Sequence, residues 1–140
     1  MTKTKFNVWD VDQKKMFNNA LELTKEGYTK TFRFDNSSSE NLIWLLSFGQ
    51  NDKKGKEIFE GDIIELIDDV GNTIRIICEY GKVKRNILGS VLNLCEITGF
   101  SFRKNDFSTF PIVRNYKGVN DVELFEVIGN IYENPELIKT

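Results

Sequence analysis

The chain has no histidine, two cysteines and two prolines among its 140 residues. Imidazole is the usual proton shuttle near neutral pH and the commonest metal ligand. Its absence excludes a Ser-His-Asp triad, a Cys-His pair and an HExxH zinc site within one chain. Two thiols without histidine do not complete a tetrahedral structural zinc site. Cys78 in RIICEY and Cys95 in NLCEI both sit in apolar runs, where a thiol behaves as a small hydrophobe. They are expected to be buried and reduced, with a disulfide between them as the alternative. Long apolar runs are also missing. The densest, Leu42 to Leu46, is far too short to cross a bilayer, and the opening MTKTKFNVWDVD lacks the apolar core of a signal peptide. The expectation is an intracellular protein with no membrane partner, no metal and no cofactor. The chain lacks a strong net charge as well, at −2, so any attraction to nucleic acid has to come from a local patch.

What is abundant is phenylalanine, with 11 residues, and aromatic side chains suit a half-buried pleated surface. The organising stretch is Asp52 to Ile67, DKKGKEIFEGDIIELI. It reads as a polar turn at Gly55, a short arm carrying Ile58 and Phe59, a tight turn at Gly61 and a strand from Asp62, with glycine supplying positive φ at both turns. A turn followed by a strand with a core face is how a small β-barrel begins. Upstream, Lys5 to Asp10 alternates as an opening strand. Met16 to Lys25 has apolar residues at helical spacing with Gly27 placed to stop it, and also reads as the second strand of a hairpin. Tyr28 to Phe34 alternates again, and Asn36 to Asn41 is loop-like. Leu42 to Phe48 is apolar on both faces and predicts a central strand covered on both sides, or a short buried helix.

Downstream, Asp68 to Asn72 predicts a hairpin loop with Gly71 left-handed and Thr73 to Tyr80 as the returning strand. Gly81 to Lys104 mixes two periods and predicts strands or bends with at most one helical turn. Pro111 excludes a helix interior around it. Leu124 to Tyr132 predicts a strand with a bulge at Gly129. The tail NPELI predicts one helical turn, with Asn134 as cap and Pro135 at the first helical position.

Three segments in order, KFNVWD with Lys14 to Met16, GQNDKKGKEIFEGDII, and EVIGNIYENPELI, resemble the YopX family of phage and prophage proteins. The resemblance spans the chain, residues 1–140, as a single domain. It implies a mainly β protein in which the central and C-terminal strands form a small SH3-like barrel element, with the N-terminal strands and one short helix packed against it. It also implies a phage or prophage origin and a place in the cytoplasm of a bacterial host, and it brings no catalytic residues with it.

Three chemistries are candidates. Glu57, Glu60, Asp62, Glu65, Asp68 and Asp69 crowd one stretch, which suits a Mg²⁺ or acid-base site, but turn geometry and a solvated strand face account for these residues too. Lys82, Lys84, Arg85, Arg103, Lys104, Arg114 and Lys117 form a locally basic stretch with Tyr80, Phe100, Phe102, Phe107 and Tyr116 interleaved, a pattern that suits stacking on nucleic acid, against the reading of core rings and solvated cations. The third reading is a non-enzymatic interaction or assembly module, self-associating or bound to a phage or host protein through complementary acidic and basic stretches. Trp9 and Trp44 are its anchors if exposed, and core residues if not. This third reading leads, with nucleic-acid binding as the alternative.

Overall fold

The computed structural model describes residues 4–24, 27–31, 41–68, 70–86, 94–104, 107–109 and 121–138. Apolar side chains recurring at every second position need a surface of the same period. The described residues accordingly form β1 (Thr4–Asp10), β2 (Lys15–Thr24), β3 (Gly27–Thr31), β4 (Leu42–Asn51), β5 (Glu57–Phe59), β6 (Asp62–Ile67), β7 (Thr73–Asn86), β8 (Leu94–Lys104), β9 (Phe107–Thr109) and β10 (Glu126–Asn130). They make two five-stranded sheets, ordered β3-β2-β1-β4-β5 and β10-β6-β7-β8-β9. Every neighbouring pair is antiparallel. Two short 3-10 turns, Asp121–Leu124 and Pro135–Ile138, supply the helical content of the described residues.

The sheets share a core. Ile58 of the first sheet packs with Ile64, Cys78, Phe102 and Val127 of the second and with Val122 and Phe125 from the segment before β10. Phe48 of β4 sets its ring edge-on to Phe100 and Phe102, at 5.2 and 5.4 Å. A smaller cluster of Val8, Phe17 and Ala20, with Leu42 against it, fills one face of the first sheet.

Three expectations need correction. Met16–Lys25 is not a helix; its described part is the hairpin strand β2, and Gly27 opens β3 instead of stopping a helix. The helical spacing has a physical source. Val8 faces Phe17 and Phe6 faces Leu21, so three residues of β2 lie opposite the single residue Asn7. Asn19 takes φ +52° there, and its N–H donates to Asn7 Oδ1 at 2.7 Å. Within the bulge the left-handed Asn19 interrupts the alternation of the strand, and Phe17 and Ala20, three apart, are both buried in the cluster with Val8. Second, the described strands form no closed barrel. β5 is laddered to β4 in the first sheet, and the second sheet ends at β10 and β9. Third, β4 is an inner strand with each face covered only in part: Leu45 is 1% exposed but Ile43 on the same face 37%, and on the other face Leu42 and Phe48 pack into the clusters while Trp44 is 45% exposed.

The other elements are strands, as the alternation predicts. β3 ends at Thr31, and residues 32–40 lie outside the described set with most of the predicted loop at 36–41. β6 and β7 pair from Ile63↔Ile77 to Ile67↔Thr73 around Gly71, which has φ +88°. β7 and β8 continue in unbroken register to Asn86↔Leu94. Among the described residues β6 meets β7 only as far as Ile77 and β9 meets β8 only at 102–104, so the outer half of this pair runs on as a two-stranded ribbon of described strands. In β10 the register slips between Val127 and Gly129.

Candidate interaction surface

Two loops share one sequence form, Asp-x-x-Gly-x, at 52–56 and 68–72. In each, the Asp N–H donates to the carbonyl of the fifth residue, at 2.7 Å to Lys56 and 2.9 Å to Asn72, and the Gly N–H returns to the Asp carbonyl. Asp Oδ1 accepts the N–H of the third and fifth residues, Lys54 and Lys56 in one loop and Val70 and Asn72 in the other. Gly55 and Gly71 stand at φ +85° and +88°, where a Cβ is strained. The first loop does more. Asp52 is buried, and its Oδ2 accepts the Val127 N–H at 2.8 Å, while the Lys53 N–H donates to the Phe125 carbonyl at 2.9 Å. Lys53 and Lys54 then reach Glu126, at 3.7 and 2.9 Å. Burial works to raise the Asp52 carboxyl, but the N–H groups of Val127, Lys56 and Lys54, with the Lys56 charge, hold it below the ordinary value.

The second turn carries the chain from one sheet to the other. Gly61, at φ +88°, lies under the Tyr132 ring, with 2.8 Å between its Cβ position and Tyr132 Cε2. Tyr132 in turn stacks on Trp9 at 5.6 Å between centroids, so Trp9 is core. Asp62 is 8% exposed and accepts the Phe59 N–H at 2.8 Å. Burial pushes its carboxyl up to about 7, against the Phe59 hydrogen bond and the Lys56 charge and assisted by Asp52. Glu60 is also raised, by burial first and by Glu79, and its Oε1 accepts the Leu46 N–H at 3.4 Å.

At the C-terminal end Asn134 does not cap forward. Its Oδ1 accepts the Asn130 N–H at 3.3 Å, and its backbone carbonyl takes the Leu137 N–H at 3.1 Å. Asn130 Oδ1, which sequence reasoning did not single out, accepts the N–H groups of Tyr132 and Glu133 at 3.0 and 2.8 Å. A Cβ on Gly129 would stand 2.6 Å from Asn134 Oδ1, so that glycine makes room for the turn. Pro135 opens the 3-10 turn.

The acidic stretch disperses once folded. Glu57 pairs with Lys5 at 3.1 Å, Glu65 with Arg75 at 3.1 Å and Glu79 with Arg103 at 2.9 Å. Asp68 is spent on its own loop, and Asp69 lies outside the described residues. Among the described residues no three His, Cys, Asp or Glu come together as metal ligands. No described helix is long and apolar enough to cross a membrane. Cys78 is buried and reduced, its thiol pushed up by burial and by the charges of Asp62, Glu60 and Glu79. Cys95 stands opposite Arg85, seven positions along β7 from Cys78. At about 3.3 Å per residue that separation is several times a disulfide's reach.

The basic stretch is divided as well. Tyr80 and Lys82 share one face of β7, and Tyr80 pairs with Phe100, which shares a face of β8 with Phe102 and Lys104. Arg103 belongs to the other face, with Glu79. Positions 84 and 85 are consecutive on β7, hence on opposite faces, and Lys84 stands opposite Glu96. Lys82 and Lys104 are exposed, and Arg114 and Lys117 lie outside the described residues. Of the interleaved rings, Phe102 is core at 2% exposure and Tyr80, 44% exposed, lies 5.0 Å from Phe100. The Phe107 side chain, Phe110, Pro111 and Tyr116 are outside the described set.

Some large apolar side chains also reach the surface. Trp44 is held edge-on to Phe6 at 6.1 Å between centroids. Ile43, 37% exposed, lies on the opposite face of β4, and Val11, 40% exposed, follows β1 with its N–H donating to the Asn41 carbonyl.

The family model described as YopX protein matches residues 5–139. The chain is similar to the crystal structure of protein EF1440 from Enterococcus faecalis, with 21% identity and a TM-score of 0.55, covering 97% of this chain and 98% of that one. At that identity the likeness concerns the fold alone. No curated protein matches.

Proposed function

Because this chain belongs to the YopX family over nearly its whole length, and because it holds Trp44 out of the core, we propose that it is a non-enzymatic protein-interaction and assembly module. The carrying observation is Trp44 itself. It lies on an inner strand, opposite the fully buried Val8, yet it presents 45% of its surface. Exposed indole rings braced by a neighbouring ring are typical anchors of protein contacts. Complementary charge does not carry the reading, since the acidic residues named above are largely paired within the chain. The partner is a second copy of the chain first, and a phage or host protein in the cytoplasm of an infected bacterium second. Sedimentation velocity of the wild type and of Trp44→Ala tests this. The reading expects an assembly larger than the 16.2 kDa chain that Trp44→Ala dissociates while the fold persists; a monomeric wild type that retains no protein partner contradicts it.

A second reading, nucleic-acid binding, is favoured by one observation: Tyr80, Lys82 and Lys104 lie on one face of the β7–β8 pair. Binding to a labelled oligonucleotide that weakens steeply with salt, and further in a Lys82→Ala, Lys104→Ala variant, would favour it.

A further inference from the structure

The chain leaves the first sheet and enters the second within two residues, Glu60 and Gly61, between β5 and β6. The hydrogen bonds at this crossing tie it to four different parts of the fold. Phe59 N–H donates to Asp62 Oδ2 at 2.8 Å, Glu60 N–H to the Leu46 carbonyl at 2.9 Å, Gly61 N–H to the Cys78 carbonyl at 2.8 Å, and Ile131 N–H to the Gly61 carbonyl at 2.9 Å. Tyr132 closes over Gly61, and Trp9 stacks behind Tyr132. Inside this joint sits one buried carboxyl, Asp62, and among the described residues its one hydrogen bond comes from Phe59, with no cation at ion-pair distance.

We propose that the Glu60–Gly61 crossing is a proton-operated joint between the two sheets. With the Asp62 carboxyl neutral, the crossing stays closed under Tyr132. With it ionised, the crossing opens locally and releases Tyr132 and Trp9 from their stack. This stands independently of the binding reading above.

The physical reason is that a buried carboxylate without a cation is costly, and opening a turn returns it to water. The groups around Asp62 do not supply the missing charge. Asp52 and Lys56 face it from the turn after β4, and the two oppose one another. Cys78 stands on β7 beside it with its thiol neutral, Glu79 on the same strand is held by Arg103, and Glu60 in the crossing adds negative charge. From the C-terminal turn comes Tyr132, whose phenol is raised by burial first and by Glu60. The burial that dominates at Asp62 places its ionisation at about pH 7, so the joint responds to changes around neutrality.

The test is amide hydrogen exchange on the full chain, read at Gly61 and Ile131 against amides of the β1–β4 ladder, from pH 5 to 8.5. Protection at the joint, corrected for intrinsic exchange, is expected to fall about tenfold per pH unit and to level off above about pH 7, with the ladder unaffected. Asp62→Asn keeps an oxygen to accept the Phe59 N–H and is expected to show no such fall. Should that variant not fold, the side-chain carboxyl ¹³C shift of Asp62 in the wild type decides, and is expected to titrate near neutrality. Protection that is flat with pH, a fall that persists in Asp62→Asn, or an Asp62 carboxyl that titrates in the ordinary acidic range overturns the proposal.

Discussion

The Asp52 carboxylate accepts the backbone N–H of Val127 at 2.8 Å, tying together residues 75 positions apart. On its other side β10 is laddered to β6, so Asp52 and Lys53 occupy the outer edge of β10 at Val127 and Phe125. An edge strand blocked in this way is removed as a template for further pairing. The same bonds explain why the second sheet stops at β10. A turn that looks local in the sequence is a clamp on the C-terminal strand.

Asp68 provides the internal control, because its loop repeats the local bonds without the distant one. Asp52→Ala is expected to lower the unfolding free energy by about 3 kcal/mol and Asp68→Ala by about 1 kcal/mol, since hydrogen bonds to a buried charged group are worth more than those to an exposed one. Urea denaturation of the two variants measures the difference. Equal losses would show that the Val127 bond contributes nothing beyond the loop.

Stability should depend on pH in two opposed ways. Asp62 is raised in the folded protein from 3.8 to about 7. Between those values the folded chain holds a proton that the unfolded chain has released, so stability falls as pH rises, by about 1.4 kcal/mol per unit, and levels off near neutrality. Asp52 is lowered, so its contribution is present above its unfolded value and is lost as pH falls below it. Denaturant titrations from pH 3 to 8 are expected to show an optimum near pH 4 to 5, and Asp62→Asn to flatten the neutral limb.

Glycine substitutions should separate strain from crowding. Gly55→Ala places a Cβ at φ +85° in open space, whereas Gly61→Ala has φ +88° and the Tyr132 ring 2.8 Å away. Expected losses are about 1 kcal/mol and about 3 kcal/mol respectively. Gly61→Ala should also change the fluorescence of Trp9, which is stacked on Tyr132. Thermal melts and emission spectra check both.

Local chemistry in this chain was legible and long-range pairing was not. The Asp62 turn, the Gly71 hairpin and the slip before Gly129 follow from residues adjacent in sequence. β2 was ambiguous because the Asn19 bulge imitates helical spacing. The division into acidic and basic stretches dissolves because antiparallel pairing sets Glu79 against Arg103 and Glu65 against Arg75, and register is not written in composition. The Gly55 turn and the Gly71 hairpin loop are each legible in the sequence, but their common Asp-x-x-Gly-x form emerges only in the structure, and nothing near Asp52 announces Val127. Trp9 and Trp44, alike in composition, part company only through what covers them.

In a Cys95→Ser background, Cys78 should resist a thiol reagent until the protein unfolds, because it is buried and its thiol is pushed up. Labelling rates measured with and without denaturant check this, and fast native labelling would place Cys78 nearer the surface than the core.

The most direct measurement of the binding claim follows Trp44 itself. In a Trp9→Phe background it is the chain's single indole, and its emission can be recorded over about a thousandfold dilution. A ring covered by a second copy emits to the blue and moves to the red as the assembly dissociates, and that shift is the predicted result. An emission maximum that stays red and unchanged at every concentration would contradict self-association through this face.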